Sequence, residues 1–538
     1  MALVDLTVAR PPVVDTDAQA VATIAALRTT EPSADGQMMT VEEYASGTGT
    51  GGGQFRGMLD GSAYTDNQGT IIKTSGGAVW LRQNATVMDP LMFGAVGDGV
   101  TDDTAALRRV QVLAGCTVDF LGRTYYTTGD LDFKGSSPST FRNGTLKPSA
   151  AVANVARVHN AAHILDGLNI DAKLTTSAIG YNVDVSCEGI RISNCTIERT
   201  GRPGVVNNAS HAIFDNLTLT SCGLTGTSPF NNAMYMVANQ YTTVQNCTLN
   251  TCYWGIYWRT DLAATKTLGN KLLNCRISGK GQTADANAQG VSCQNNNYLE
   301  VAGCVISDFP NNAVDLQYSD YCHIHDNKMV ACSDGIFIGD RSCRGHNLHN
   351  NTMLDCVRGL RFYCVDSVLV GQFYDIRFAG NTIVNATDKA ISVVLTAASA
   401  VSNCSIDSNI VNQQGVGTGT HAIEINGLSV SSVSGNLVKG ARQAGIYVTG
   451  SDLLRMQGNT IQDASRANVG AYAGIVLTGS SARVVVSDSI VYGSASYAVQ
   501  VDSGTSACTI KGTRWRSTAT GGIQNSGTST TVSDNIAF

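Results

Sequence analysis

The chain contains little charge, little proline and few aromatic residues. Charged side chains make up 14% of its 538 residues and aromatic side chains 7%; there are 9 prolines, and the formal net charge is −6. This balance excludes the broad basic surface that binds nucleic-acid phosphates. No segment approaches the roughly 20 consecutive apolar residues of a membrane-spanning helix, so we expect no membrane insertion. The N-terminus also lacks the basic and apolar regions of a secretory signal.

Glycine and cysteine, by contrast, are frequent, with 56 and 16 residues. No two cysteines have the C-x-x-C spacing of a zinc site, so we predict no cysteine metal cluster. Cys195, Cys247, Cys275 and Cys304 instead recur at one place in a repeat. Residues at one place in stacked repeats form a ladder, and a buried cysteine behaves as a small apolar residue. We therefore expect reduced cysteines in the core, which suits folding in a reducing cytosol.

A short pattern repeats from about residue 190 to the end of the sequence. In each repeat an asparagine precedes a short apolar strand. Soon after this strand comes a small residue, which is followed by an alternating apolar pair. Successive asparagines lie 22 to 30 residues apart, except for one interval of 53 that holds Gly303 and Cys304 in the equivalent place. Such periods are typical of solenoids, whose units bury their apolar faces only by stacking. With three short strands in each unit, the sequence predicts an all-β fold, a right-handed parallel β-helix. The repeated asparagines are Asn194, Asn216, Asn246, Asn274, Asn327, Asn351, Asn381, Asn409, Asn436 and Asn459.

Three regions are predicted along the chain. Residues 1–50 form a separate N-terminal segment with an alanine-rich helical pattern from Thr16 to Arg28. Residues 51–92 contain two short strand patterns and form a β-structured neck. The β-helix then covers residues 93–538, and its apolar end is closed by an amphipathic helix over residues 102–114. Asp102 and Asp103 are interpreted as turn and helix-capping residues rather than as catalysts.

The segment from Phe93 to Thr104 resembles the N-terminal signature of the pectate-lyase-like β-helix superfamily, which includes phage tailspikes and pectinases. Upstream, residues 51–55, 66–72 and 80–82 resemble the neck of phage tailspike depolymerases. This resemblance implies a homotrimer of the virion tail, assembled in the host cytoplasm, which binds and cleaves bacterial surface polysaccharide. It also implies that the N-terminal segment joins a phage tail or baseplate protein. Hydrolases, lyases and epimerases share the signature, so the reaction type stays open.

Alternation along each Gly-Ile strand predicts which side chains point out of the β-helix. Because neighbouring coils stack, these residues form two continuous outward rows. The first row is Tyr257, Ser292, Asp315, Phe337, Arg361, Ser392 and Glu424. The second row is Arg259, Gln294, Gln317, Gly339, Tyr363, Val394 and Asn426. Aromatic faces stack on sugar rings, and planar polar groups hydrogen-bond hydroxyls and carboxylates. The predicted substrate-binding residues are Tyr235, Tyr257, Arg259, Gln294, Gln317, Phe337 and Glu424.

Asp315 is the first choice for a catalytic residue, because it is the only acid of the first row between Tyr257 and Arg361. Asp340 ends the neighbouring strand, and strand spacings put the two Cα atoms about 11 Å apart. This separation allows the carboxyl groups to approach the roughly 6.5–9.5 Å of an inverting glycosidase pair. Glu424 is a reserve acid. Asp334, which precedes Gly335, is interpreted as a turn cap.

Two alternatives to hydrolysis stay open. A polysaccharide lyase would use Arg361 and Tyr363, which point outward on one strand, to neutralise a uronate and remove its proton. A non-catalytic spike would bind glycan without cleaving it. His323 and His325 are expected to point away from this surface. Some lyases of the superfamily use Ca²⁺, but no His/Asp/Glu spacing marks a metal site here, so no metal or other cofactor is predicted.

Overall fold

The computed structural model describes residues 19–175, 178–223, 231–260, 266–279, 286–339, 343–364, 373–395, 401–413, 421–466 and 471–538. Nearly all regular structure in these ranges is β-strand. None of the helices there has the length and apolar character needed to cross a bilayer.

A five-stranded sheet forms the N-terminal part of the described chain. The first two strands in this sheet are parallel, and the remaining pairs are antiparallel. In spatial order the strands are Gln19–Thr23, Met38–Glu43, Gly51–Met58, Val79–Arg82 and Ile71–Lys73. Phe55 and Trp80 are fully buried in a small core between this sheet and the helix Ile24–Arg28. The sheet therefore joins residues on both sides of the boundary that the sequence analysis placed at residue 50.

The predicted helix from Thr16 to Arg28 is wrong over half of its described part. Gln19–Thr23 is a strand that pairs with Met38–Glu43, and only Ile24–Arg28 is helical. Pairing with a neighbouring strand outweighs the weak helix preference of the alanines. The Thr23 side chain accepts a hydrogen bond from the amide of Ala26 at 3.2 Å, which starts the helix at this point.

The entry to the β-helix contains the strand Val87–Met88, the 3-10 helix Pro90–Phe93, the strand Asp98–Asp102 and the helix Thr104–Val110. The last helix is shorter than the predicted 102–114, but it buries the expected apolar side of the helix. Asp103 precedes the helix without capping it, because its carboxylate accepts from the amides of Val96 and Gly97 at 2.6 and 3.1 Å. Its position supports a structural interpretation of this acid.

The rest of the chain is the predicted parallel β-helix, built from three stacks of strands. Sheet 1 has sixteen strands: Leu131–Phe133, Asn154–Val158, Ile179–Val183, Val205–Asn207, Asn232–Val237, Trp254–Arg259, Val291–Gln294, Asn312–Gln317, Asp334–Gly339, Arg358–Cys364, Ile391–Leu395, Ile423–Asn426, Ile446–Thr449, Ile475–Thr478, Tyr497–Val501 and Gly521–Asn525. Every neighbouring pair in this sheet is parallel.

Sheets 2 and 3 are formed by the two shorter strands of each coil. Sheet 2 contains Val87–Met88, Thr117–Asp119, Arg191–Ser193, Ile213–Asp215, Thr243–Gln245, Lys271–Leu273, Glu300–Ala302, His323–His325, Asn347–His349, Arg377–Ala379, Ser405–Asp407, Ser432–Ser434, Arg455–Gln457, Val485–Ser487, Thr509–Lys511 and Thr531–Ser533. Sheet 3 contains Asp98–Asp102, Thr124–Thr127, Thr196–Thr200, Thr218–Thr220, Thr248–Asn250, Arg276–Ser278, Val305–Ser307, Lys328–Val330, Thr352–Leu354, Thr382–Val384, Ile410–Asn412, Leu437–Lys439, Thr460–Gln462, Ile490–Tyr492, Arg514–Arg516 and Ile536–Ala537. The long strands Thr140–Pro148 and Ile164–Thr175 take part in both sheets. Two small pairs complete the described strands: Thr267–Leu268 with Asn296–Asn297, and Phe373–Tyr374 with Val401–Ser402.

The core lies between the three sheets, and each strand contributes inward residues to it. The alternation that predicts the outward rows of sheet 1 also predicts an inward row, which is confirmed because all of its members are at most 2% exposed: Ile256, Val291, Val314, Ile336, Leu360, Ile391 and Ile423. In sheet 2 the middle residue of most three-residue strands is the buried one, as Leu272, Ile324 and Leu348 illustrate. Stacking alike residues on successive coils buries an apolar face that one coil cannot bury alone.

The repeated asparagines occupy two different positions at the corner between sheets 2 and 3. Asn194, Asn246 and Asn274 have left-handed backbone conformations with φ between 55° and 56°, as do Asp326 and Asn350 in later coils. Asparagine and aspartate tolerate this conformation better than most residues. The repeat pattern in the sequence groups all these asparagines as one position, and this grouping is wrong by one residue from Asn327 onward.

The second position is a buried ladder. Asn351, which is 0% exposed, donates to the Asn381 side-chain oxygen at 3.0 Å and to the Ile324 carbonyl at 2.9 Å. The same pattern runs through Asn327, Asn351, Asn381, Asn409, Asn436 and Asn459. The predicted cysteine ladder occupies this place in earlier coils: the Cys275 amide donates to Cys304 Sγ, and the Cys304 amide donates to Asn327 Oδ1 at 2.9 Å.

The ladder gives a prediction for stability. Replacing Asn381 with alanine removes the side-chain partner of the Asn351 amide and leaves buried polar groups unsatisfied. We expect Asn381→Ala to cost about 1–3 kcal/mol of folding free energy, measured as a lower midpoint of thermal or denaturant unfolding. The control Asn426→Ala removes a half-buried outward asparagine from sheet 1 and is expected to change the midpoint much less. Equal midpoint shifts in the two variants would contradict the ladder's role.

Candidate functional site on sheet 1

Both predicted outward rows of sheet 1 are in the expected register. Tyr235 pairs with Tyr257, Ser292 with Asp315, and Asp315 with Phe337 on successive coils. In the second row the neighbouring pairs include Arg259 with Gln294, Gln294 with Gln317, and Gly339 with Tyr363. The β-helix thus brings aromatic, amide, acidic and basic side chains onto one side of six consecutive coils.

A chain of hydrogen bonds links three of these coils and ends on Asp315. The Tyr257 hydroxyl donates to Gln294 Oε1 at 2.9 Å, Gln294 Nε2 donates to Gln317 Oε1 at 3.2 Å, and Gln317 Nε2 donates to Asp315 Oδ2 at 3.0 Å. Each amide therefore accepts on one side and donates on the other. This order fixes the orientation of the Asp315 carboxyl.

Asp315 points outward from the sheet, yet it is only 1% exposed. Phe337 and Tyr257, which are both 7% exposed, lie in the same outward row. Burial raises the pKa of the Tyr257 hydroxyl above its ordinary value, and the nearby Asp315 carboxyl raises it as well, while Arg259 opposes this. At neutral pH Tyr257 thus stays protonated and keeps its donor role.

Aromatic rings lie on both sides of Asp315 along the row. The rings of Tyr235 and Tyr257 are stacked with centroids 5.7 Å apart, and Trp254 lies 5.8 Å from Tyr257. On the other side, the Phe337 ring lies across Gly339, where an added Cβ would come within 2.4 Å of the ring. Glycine at this place therefore provides the space that the ring occupies.

Arg361 forms the basic end of this surface. Its guanidinium carbon lies 4.3 Å from the ring centre of Tyr363 and 5.5 Å from that of Phe337. These distances are typical of cation–π contacts. Its Nη1 also lies 3.7 Å from Asp334 Oδ2, so the positive charge of Arg361 is already partly balanced.

The turn-cap interpretation of Asp334 is wrong. Asp334 begins its strand in sheet 1, and its side chain is 1% exposed and lies against Arg358 Nε at 2.5 Å. Arg358 also contacts Asp388 at 3.3 Å. Burial raises the pKa of the Asp334 carboxyl above its usual value, whereas Arg358 and Arg361 act in the opposite direction. Asp334 lies opposite Arg358 on the next coil. This pairing could have identified the ion pair, but it can be seen only when the register between the coils is known.

Of the two other predicted acids, one cannot be placed relative to Asp315 and the other lies apart from it. Asp340 lies outside the described residues; it follows Gly339, the last described residue of its strand. Glu424 is on sheet 1 but four strands from Asp315, and its carboxylate pairs with Lys389 at 2.9 Å. At about 4.8 Å per strand, Glu424 is too distant to act with Asp315 within one chain.

Comparison with known families matches three parts of the chain. Residues 20–85 match the family described as "Phage tail protein small four-stranded beta-sheet domain", and residues 366–537 match "Right handed beta helix region". Residues 267–421 match the family described as "Periplasmic copper-binding protein (NosD)". Each match covers less than half of the chain.

Among curated proteins, the chain is similar to the "Depolymerase, capsule K30/K69-specific" of Klebsiella phage K64-1. The two are 26% identical over 339 residues, which cover 53% of this chain and 44% of that protein. A defective tail fibre protein of the Mu-like prophage FluMu of Haemophilus influenzae is 33% identical over 121 residues, covering 21% of this chain and 18% of the relative. The alignments thus span less than half the length of either relative. The resemblance to phage tailspike depolymerases is confirmed at the level of sequence similarity.

Solved structures with a similar arrangement include the enzymatically active domain of bacteriophage CBA120 tailspike protein 2, with 17% identity and a TM-score of 0.35 over 88% of this chain and 57% of that one. A second is the N-terminal fragment of bacteriophage phi29 gene product 12, with 15% identity and a TM-score of 0.48 over 81% of this chain and 71% of that one.

The buried ion pair between Arg358 and Asp334 gives a second prediction. Arg358→Gln leaves a buried carboxylate without its closest cation, which is expected to cost about 3–5 kcal/mol at neutral pH. Because loss of Arg358 raises the Asp334 pKa further, the unfavourable charge is present above that pKa and disappears as the carboxyl protonates below it. The destabilisation should therefore shrink as the pH falls, as measured by unfolding midpoints across an acidic-to-neutral series.

The control is an ion pair at the surface. Arg191, whose side chain is 47% exposed, lies 3.2 Å from Asp215. Arg191→Gln should cost no more than about 1 kcal/mol. A loss in Arg358→Gln that is as small as the control, or that does not change with pH, would contradict the assignment of Asp334 as a buried charge held by Arg358.

Proposed function

We propose that the chain is a bacteriophage tailspike that binds and depolymerises bacterial surface polysaccharide on sheet 1, by hydrolysis of glycosidic bonds. One observation carries the proposal: the outward row of sheet 1 places a buried, hydrogen-bonded acid between aromatic side chains on successive coils. The similarity to a capsule-specific depolymerase of a Klebsiella phage supports a capsule, O-antigen or exopolysaccharide as the substrate class.

The proposed glycan site extends along the axis of the β-helix. From Tyr235 to Arg361 the row crosses five strand spacings, or roughly 24 Å at 4.8 Å each. This length suits an extended polymer rather than a single sugar. Tyr235 and Tyr257 offer ring faces for stacking, and Arg259 and Gln294 offer donors to hydroxyl or carboxylate groups. Glu424 lies further along the same row, where it would contact a neighbouring sugar residue.

In the proposed hydrolysis Asp315 acts as the general base and Asp340 as the general acid. Asp315 accepts a proton from a water molecule whose oxygen bonds to the anomeric carbon, and Asp340 gives its proton to the departing glycosidic oxygen as the C–O bond breaks. The Gln317 amide donates to Asp315 Oδ2 and so holds the carboxyl in place for this role. Substrate has to displace the side chains that cover Asp315, since this acid is 1% exposed.

A lyase is the second candidate, and the contact between Arg361 and Tyr363 favours it. Arg361 would neutralise the carboxylate of a uronic acid, and the neighbouring Tyr363 hydroxyl would take the proton as the base. Asp334, 3.7 Å from Arg361, already compensates part of this charge. Hydrolysis is therefore the preferred proposal.

The N-terminal sheet is the proposed attachment to the virion tail. Its match to a phage-tail sheet domain over residues 20–85 supports contact with a tail or baseplate protein. We further propose a homotrimer, the assembly expected of tailspikes from the sequence resemblance.

The catalytic proposal is tested by Asp315→Asn and Asp340→Asn. Loss of either proton-transfer group should lower the rate of depolymerisation by roughly 10²–10⁴-fold, while binding to the same capsule is retained. Asp407→Asn, which changes a half-buried aspartate on sheet 2, is the matched control and should stay active. Cleavage is measured on purified capsules from a panel of bacteria by new reducing ends and product mass.

The outcomes separate the candidates. Full activity in Asp315→Asn rejects Asp315 as the base. Products with the ultraviolet absorbance of an unsaturated uronate, together with inactivity of Arg361→Gln or Tyr363→Phe, would replace hydrolysis with β-elimination. Binding without any cleavage by the unaltered protein would leave a glycan-binding spike and reject the enzyme.

A further inference from the structure

Three imidazole rings converge on the outer side of sheet 2, away from the outward rows of sheet 1. His323 and His325 lie on the same side of one strand, while Ile324 between them is buried in the core. His349 lies in the next strand, in register with His325. Among the described residues, one ligand atom from each of the three histidines lies within 4.8 Å of the others. The alternation in the sequence singles out the first two histidines but not His349, which lies one coil further along the chain.

The rings already face one another. His323 Nε2 and His349 Nε2 are 2.7 Å apart, and the rings of His325 and His349 are stacked with an angle of 12° between them. The ring centres of His323 and His325 are 4.1 Å apart. Two neutral imidazoles at this distance share one proton, so one nitrogen donates and the other presents a lone pair. A lone pair from each ring is what a transition-metal ion requires.

A neighbouring acid orients the third ring. His325 Nδ1 lies 2.7 Å from Asp326 Oδ2, and a proton on Nδ1 leaves Nε2 free as a ligand. That Nε2 is 3.4 Å from Glu300 Oε1 on the preceding strand. Glu300 also pairs with Lys271 at 2.9 Å. Carboxylates that hydrogen-bond the far nitrogen of a ligating histidine are typical of zinc sites.

We propose that His323, His325 and His349 bind a Zn²⁺ ion through their Nε2 atoms, with Glu300 or a water molecule as the fourth ligand. Zinc–nitrogen bonds of about 2.0–2.1 Å in a tetrahedral site place the nitrogens about 3.3 Å apart. The Nε2 atoms of His323 and His349, which lie 2.7 Å apart, would move apart to that value and turn from each other towards the ion. The ion would connect two adjacent coils of sheet 2.

The site is independent of the proposed polysaccharide cleavage, because its ligands belong to sheet 2 and the outward rows belong to sheet 1. A network of stacked, hydrogen-bonded surface histidines is the other explanation of the same geometry. The zinc site requires that the full chain binds Zn²⁺ with defined stoichiometry through these side chains, whereas a histidine network does not.

The test is titration of the chelator-treated, reduced full-length protein with Zn²⁺ by isothermal calorimetry, with Co²⁺ absorbance as a report of ligand geometry. We expect one strongly bound ion per chain and a rise in the thermal unfolding midpoint on adding Zn²⁺, because an ion that binds only the folded state stabilises it. His323→Asn and His349→Asn should each weaken binding by at least about tenfold, a loss typical of damage to a metal site, and should abolish the midpoint rise.

The matched control is His211→Asn. His211 is an exposed histidine in the bend before the strand Ile213–Asp215 of sheet 2, where it pairs with Glu188 at 2.9 Å and stacks on Tyr241. Its replacement should leave Zn²⁺ affinity unchanged. Unfolding midpoints of the metal-free variants check that all of them are folded. Absence of Zn²⁺ binding by the unaltered chain, or equal affinity in His349→Asn, would overturn the proposal; the latter result would place the ion on other side chains.

Discussion

The fixed register between successive coils is the constraint on which the rest of the structure depends. In a parallel β-helix the backbone groups of each strand bond to the coils before and after it, so a slip of one residue would turn every inward side chain outward. The corner between sheets 2 and 3 resists such a slip. There, buried side chains bond both to the next coil's side chain and to a backbone carbonyl, as Asn351 does with Asn381 and Ile324. The change from cysteine to asparagine between Cys304 and Asn327 preserves this bonding, because Asn327 Oδ1 accepts the amide proton that a sulfur accepts in earlier coils.

This rigid stacking allows functional side chains to be placed with few backbone adjustments. Along sheet 1 the spacing between coils matches the length of a glutamine side chain. Gln294 and Gln317 therefore form a continuous chain of hydrogen bonds from the Tyr257 hydroxyl to the Asp315 carboxyl. On sheet 2 the same spacing brings histidines from two coils into contact. Both arrangements use side chains that are far apart in sequence and adjacent only through the register, which makes them properties of the stack rather than of any single repeat.

The sequence predicted the solenoid, the inward rows and the outward register because period-2 alternation and repeat length determine them directly. Other features needed the structure. Asparagine serves both the left-handed corner and the buried ladder, so residue identity alone could not separate Asn274 from Asn327. Asp334 departs from simple alternation at the start of its strand, which hid its pairing with Arg358. His349 became relevant only once coils were aligned. The catalytic roles assigned to Asp315 and Asp340 stay predictions, and Asp340 lies outside the described residues.

The distance between Arg361 and the neighbouring acid Asp334 bears on whether the reaction is hydrolysis or elimination. A lyase needs a cation whose field is directed at the substrate carboxylate, and Coulomb attraction within a partly buried site falls with distance and with any nearby counter-charge. Arg361 has Asp334 at 3.7 Å, and that acid is itself 1% exposed and also contacts Arg358. Part of the Arg361 field therefore ends on Asp334 before a substrate arrives. Asp315, by contrast, receives a directed amide hydrogen bond. A guanidinium whose charge is already partly compensated stabilises a uronate carboxylate less, whereas Asp315 is held in place by its hydrogen bond, which is why hydrolysis is preferred over elimination.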